Sequence, residues 1–112
     1  MNTLTFKILP SEVSNDRQVR IEIDGQDLLG SGFLGIDPSR FFRQKNLFRG
    51  GEILIGRCDC GFEGCCDYVA DVEISENKVI WNIKTKRFEF DEYEYTDYIH
   101  EKGDRFIFGK FR

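Results

Sequence analysis

Five stretches of the chain alternate apolar and polar residues with a period of two, and this restricts the fold more than any other feature. In segment 3–9, Leu4, Phe6 and Ile8 fall on one side. Val19, Ile21 and Ile23 alternate with Arg20, Glu22 and Asp24, and the pair Asp24-Gly25 marks a turn after them. Further on, Tyr68, Ala70, Val72 and Ile74 alternate with Val69, Asp71 and Glu73. Beyond the turn residues Ser75, Glu76 and Asn77, the residues Val79, Trp81 and Ile83 alternate again, and Arg87 to Phe90 makes a last short run. Successive side chains of a strand point to opposite faces, so each run buries one face and wets the other. Such runs joined by turn residues predict antiparallel hairpins. Trp81 is in phase with two β-branched neighbours, which predicts a place in the sheet core rather than a ligand-stacking role.

Composition agrees. Eleven Phe, four Tyr and Trp81 suit half-buried sheets, and eleven Gly in 112 residues imply many turns. Segment 52–57 is a short apolar strand, whereas 11–16 and 28–35 read as loops. Gly30-Ser31-Gly32 matches no phosphate-binding fingerprint, because the required glycine spacing and the Gly-Lys-Ser/Thr ending are both missing. Asp37 as N-cap and Pro38 at the first helical position start a short helix near 37–44, with Phe41 and Phe42 docking it on the sheet. Asp91 with Glu94 three residues later has capping-box spacing, and Tyr95, Tyr98, Ile99 and Lys102 share one helical face. Gly103 is the expected stop, which leaves Phe106, Phe108 and Phe111 for a final edge strand. The expectation is thus a single domain, 1–112, of mainly β (α+β) class. It has a twisted antiparallel sheet, sandwich- or barrel-like, with one short helix near 37–44 and one C-terminal-half helix at about 91–102.

All four cysteines lie in segment 57–66, as Cys58, Cys60, Cys65 and Cys66, divided by Gly61 and Gly64. The N-terminal residues lack the apolar core of a secretory signal, and no run nears the roughly 18 apolar residues of a membrane span. A cytoplasmic setting follows as the expectation, with thiols kept reduced. Three readings of the cysteines stand side by side. Cys58 and Cys60 are two apart, so both thiols point to one side of a strand, and the glycines permit a turn that returns Cys65 or Cys66 to them as ligands of a structural zinc. Adjacent Cys65 and Cys66 point to opposite faces, however, and the one histidine, His100, lies far along the chain. A reactive thiol is disfavoured, since Asp59, Glu63 and Asp67 offset Arg57, and no Cys-x-x-Cys precedes a helix. The residues favour the third reading, a structural hairpin loop whose small cysteines pack its base, with a Cys60–Cys65 disulfide only in an oxidising setting.

The series Ile55-Gly56-Arg57-Cys58-x-Cys60-Gly61-x-x-Gly64-Cys65, then the strand to Val72 and Val79-Ile80-Trp81, resembles a family of small uncharacterised bacterial proteins. Its members share an Arg-Cys-x-Cys-Gly-x-x-Gly-Cys core, a Val-x-Trp strand and a Phe-containing segment leading into a Tyr-bearing helix, here Phe88 to Tyr98. The resemblance covers much of the chain and implies a bacterial, soluble protein; it supplies no substrate. In that pattern Cys66 has no fixed counterpart.

A formal charge of −4 argues against nucleic-acid and anionic-membrane partners. The charge is uneven. Arg40, Arg43, Lys45, Arg49 and Arg57 face only Glu52 in mid-chain, whereas Glu89, Asp91, Glu92, Glu94, Asp97 and Glu101 crowd together downstream. Two solvated surfaces that complement one another account for this; an acidic face at Asp97 and Glu101 for a basic protein partner is the functional alternative. No acid, base and nucleophile set converges, so the residues lean away from an enzyme. The expected function is a non-catalytic interaction domain, immunity-like by analogy with other small acidic domains, and the alternative is a structural zinc-binding domain.

Overall fold

The structure, a computed structural model, describes residues 1–10, 17–29, 33–58 and 67–107. Strands β1 (Leu4–Pro10), β2 (Arg17–Ile23) and β3 (Gln26–Asp27) form one antiparallel sheet. Strands β4 (Phe33–Leu34), β5 (Gly51–Cys58), β6 (Tyr68–Ser75), β7 (Lys78–Ile83) and β8 (Lys86–Asp91) form a second, in that order. Helices α1 (Pro38–Phe42) and α2 (Asn46–Arg49) lie between β4 and β5, and α3 (Glu92–Ile107) follows β8. The protein is mainly β, with its two sheets curled into a half-barrel.

The alternating runs pair as their periodicity demands. Leu4 faces Ile23, Phe6 faces Ile21 and Ile8 faces Val19, so the apolar residues of β1 and β2 share one side. Asp24 and Gly25 connect β2 to β3 with φ of 56° and 82°, both positive as a type I′ turn requires. The Asp24 carboxylate accepts the Thr3 N–H at 2.8 Å and the Asn2 amide at 2.7 Å, and these two bonds hold its pKa below the usual carboxylate range. In the β6–β7 hairpin Val72 pairs with Trp81 and Ile74 with Val79, and Asn77 takes the left-handed turn position at φ 62°. Trp81, Phe90, Phe41, Ile21, Ile53 and Ile55 are buried in the common core.

Between the sheets, closure falls to side chains as much as to backbone. The Val19 N–H donates to the Ile36 carbonyl at 2.9 Å. Beside it, the Gln18 Oε1 accepts the Gly35 N–H at 2.8 Å and Arg20 Nη1 donates to the Phe33 carbonyl at 2.7 Å. At the opposite seam Asn2 donates its N–H to the Glu89 carbonyl at 2.7 Å and accepts the Glu89 N–H on its side-chain oxygen at 2.9 Å. The part of β5 that β4 does not reach has an amide for a neighbour: Gln44 accepts the Leu54 N–H at 2.7 Å and donates to the Leu54 carbonyl at 2.9 Å. Asn46 donates to the Glu52 carbonyl at 3.0 Å.

Helix ends differ from the sequence expectation in one important place. Asp37 caps α1 as predicted, accepting the Arg40 N–H, and Phe41 and Phe42 are buried. The chain then makes the additional turn α2, and segment 28–35 contributes the two-residue strand β4 rather than loop alone. Asp91 caps α3 by accepting the Glu94 N–H at 2.9 Å. That helix does not stop at Gly103; it continues to Ile107, so Phe106 is helical, while Phe108 and Phe111 lie outside the described residues. Gly103 has a packing role instead: a Cβ there would stand 3.3 Å from the Phe42 Cβ, so the glycine lets α3 settle on α1.

Among the described glycines Gly35 governs the closest approach, since a Cβ at that position would lie 2.0 Å from the Val19 carbonyl oxygen. Backbone cannot yield as a side-chain tip can. Gly35→Ala is therefore expected to cost about 3 kcal/mol or more, read as a lower urea midpoint at an unchanged m-value; a loss below about 1 kcal/mol would contradict the close packing of β2 on this segment.

Candidate functional site

The cysteine stretch begins at the end of β5, where Cys58 pairs through its backbone with Phe33. Cys60, Cys65 and Cys66 lie outside the described residues, and so therefore do the expected hairpin loop and the alternative zinc site of the four thiols. What is described is the frame. Strands β5 and β6 are antiparallel neighbours, Gly56 stands opposite Tyr68, and segment 59–66 connects them. The register slips by one residue between Leu54 and Gly56, a bulge just before the stretch. Nearby, the Phe33 and Tyr68 rings meet edge to face at 5.1 Å, and the Lys84 ammonium lies 5.2 Å from the Tyr68 ring centre. These rings, with Glu52, Asp71 and Asn82, border a cavity of about 230 Å³. Glu52 and Asp71 face one another directly across β5 and β6, a like-charge pair that a sheet tolerates only on a wet face.

Helix α3 carries the other expected site. One side of it is spent on the fold: Tyr95 and Ile99 are buried, and the Tyr98 hydroxyl accepts the Phe6 N–H at 3.0 Å. Ile21, opposite Phe6, directs its carbonyl to Leu28 beyond β3, so the Phe6 N–H points away from β2 and Tyr98 satisfies an open strand edge. The other side faces outward. Asp97 and Glu101, the predicted partner face, are both exposed there. Between them His100 stacks flat on Phe48 of α2, with centroids 4.6 Å apart and planes at 4°. The helix thus brings Asp97, His100 and Glu101 to one surface with Tyr93, which is 85% exposed. Glu92, Tyr93, Thr96, Asp97 and His100 line an open groove of about 380 Å³ along the helix.

Tyr93 escaped the reading of the sequence, although its signal was present. At 100° per residue it falls about 160° from Tyr95 and about 120° from Ile99, the two residues that anchor the helix, so an outward aromatic was implied. Trp81, by contrast, is fully buried as expected. Its indole N–H donates to the Tyr95 hydroxyl at 3.1 Å, and that hydroxyl donates to the Leu47 carbonyl at 2.8 Å. No described helix is long and apolar enough to cross a membrane.

Comparison of the chain with protein-family models, with curated proteins and with solved structures found no match.

The buried hydroxyl has a pH signature. Burial pushes the Tyr95 pKa well above the ordinary tyrosine value, and the bond from Trp81 opposes this only in part. The unfolded chain can release that proton near pH 10, whereas the folded chain holds it, so the unfolded state binds fewer protons above that pH. Stability due to Tyr95 is complete below about pH 10 and is expected to fall above it by up to about 1.4 kcal/mol per pH unit. Tyr95→Phe strands the Trp81 N–H and the Leu47 carbonyl. It should cost about 2–4 kcal/mol at neutral pH and flatten the alkaline slope, measured by urea unfolding between pH 7 and 11.

Proposed function

We propose that this chain is a non-catalytic protein-binding domain that offers the outward side of α3, with Asp97 and Glu101, to a basic protein surface. The observation that carries this reading is Tyr93. A large aromatic side chain at 85% exposure, set beside Asp97 and His100 on a rigid helix, has no role in the core. Tyrosine is suited to interfaces because it gives large contact area for little lost rotamer freedom and keeps a polar tip. The acids around it supply steering and orientation toward positive charge rather than bulk affinity. An immunity-like role, in which the domain occupies a basic partner, fits this chemistry.

Asp97 and Glu101 are exposed, so neither side chain is part of the buried core. Asp97→Lys with Glu101→Lys is expected to reduce affinity capture of a basic partner from bacterial lysate by about tenfold or more while the melting temperature stays unchanged. Undiminished capture by the doubly reversed protein would overturn the reading, and an equal loss of stability would assign the two acids to structure.

A second reading keeps Cys58, Cys60, Cys65 and Cys66 as ligands of a structural zinc. Its support is the antiparallel pairing of β5 with β6, which starts both ends of the cysteine stretch from neighbouring strands. Elemental analysis of purified protein should then give close to one zinc per chain, with Cys60→Ser lowering both the metal content and the melting temperature. Less than about a tenth of an equivalent, with every thiol reactive after denaturation, removes this reading.

A further inference from the structure

The segment packed against α3 carries exposed basic residues of its own. Three contacts fix α1 and α2 along this helix: Phe42 at Gly103, Leu47 on the Tyr95 hydroxyl at 2.8 Å, and Phe48 stacked on His100 at 4.6 Å. On the outer side of that segment Lys45 and Arg49 are exposed. Among the described residues neither of them, nor Asp97, takes part in an ion pair. Phe48, stacked on His100, stands between exposed Lys45 and Arg49 in the chain, and Asp97 is exposed on the same helix as His100; basic residues at α2, the two rings and an acid of α3 thus lie on neighbouring elements.

A surface of this layout is complementary to itself. Let a two-fold axis lie in the surface, along the aromatic seam and parallel to α3. Half a turn about it exchanges the two strips, so each acidic strip comes to rest on the basic strip of the other copy, and the aromatic seam meets its own image. This is the isologous arrangement of a closed dimer, in which the same patch serves both subunits. It also has the anatomy of an interface, with rings at the centre and charges at the rim. A foreign basic protein would match the acidic strip alone. A second copy matches both strips and the seam.

We infer that the interaction face on α3 pairs with a second copy of this chain, the Lys45 and Arg49 strip of each copy lying on the Asp97 strip of the other. The inference rests on the reading of α3 as a protein-binding face and names its partner.

Sedimentation of the full, purified 13.1 kDa chain tests it. A reversible shift to twice the monomer mass is expected with rising concentration, weakened about tenfold between about 50 mM and 500 mM salt, because rim charges are screened. Asp97→Lys alone places positive strips together, and Arg49→Glu alone places negative strips together. Each is expected to weaken pairing about tenfold or more, with an unchanged melting temperature. An equimolar mixture of the two variants restores opposite charges at both strips, so a mixed dimer should form with affinity within about threefold of the parent. A parent chain that stays monomeric up to its solubility limit at low salt overturns the inference, as does a mixture that fails to recover. If the chain is monomeric while capture of a basic protein still depends on Asp97, the second-copy partner is refuted and the reading of α3 as a binding face stands.

Discussion

At the centre of the protein a single phenol hydroxyl ties three elements that are distant in sequence. Trp81 of β7 donates to Tyr95 of α3, and Tyr95 donates to the backbone of Leu47 in α2. Polar groups this deep are costly unless every one finds a partner, so only one placement of the helix over the sheet satisfies all of them. The rings around this chain reinforce the placement. Trp81 meets Phe90 edge to face at 5.5 Å, and Phe90 stacks on Tyr95 at 5.7 Å. A second aromatic group, with Phe6 between Phe41, Phe42 and Tyr98, ties β1 to α1 and α3. With α3 held this way, its outward residues Tyr93, Asp97 and Glu101 are presented as one surface, and α2 is held alongside.

The rim of the half-barrel poses a different problem, that of unsatisfied strand edges. An open edge is a row of backbone donors and acceptors ready to pair with another chain. Here amide side chains cover much of it. Gln44 bonds both backbone groups of Leu54 as a neighbouring strand would, Asn2 does the same in part for Glu89, and Gln18 reaches Gly35. Tyr98 closes the Phe6 edge. A side-chain amide carries the same donor and acceptor as a peptide group, so it can terminate a sheet without extending it. Among the described residues, these groups of the strand edges are thereby satisfied without adding a strand.

Much of this architecture was legible in the residues. The five alternating runs became paired strands, Asp24-Gly25 forms the expected turn, and Asp37 and Asp91 cap their helices. Gly103 misled because a glycine after an amphipathic run reads as a stop, and nothing local distinguishes that from a glycine needed for close packing on Phe42. The strand β4 was invisible because two residues carry no periodicity; its pairing with β5 is a long-range event. The proposed face on α3 was half legible. Charge marked Asp97 and Glu101, but Tyr93 and the basic strip of α2 acquire meaning only once α2 lies beside α3.

Local chemistry by itself determined the longer strands, the starts of α1 and α3 with their caps, and which side of each faces the core, because these depend on neighbours one to four residues away. It also concentrated the thiols in one stretch and the acids in another. Tertiary structure alone decided that Gln18, Gln44 and Asn2 serve as edge strands, that Gly35 sits against Val19, and that Tyr95 joins Trp81 to Leu47. Those contacts join residues from 10 to 87 positions apart. Their stability comes from burial and from satisfying polar groups that have lost water, conditions that exist only after the sheets have curled and the helix has docked.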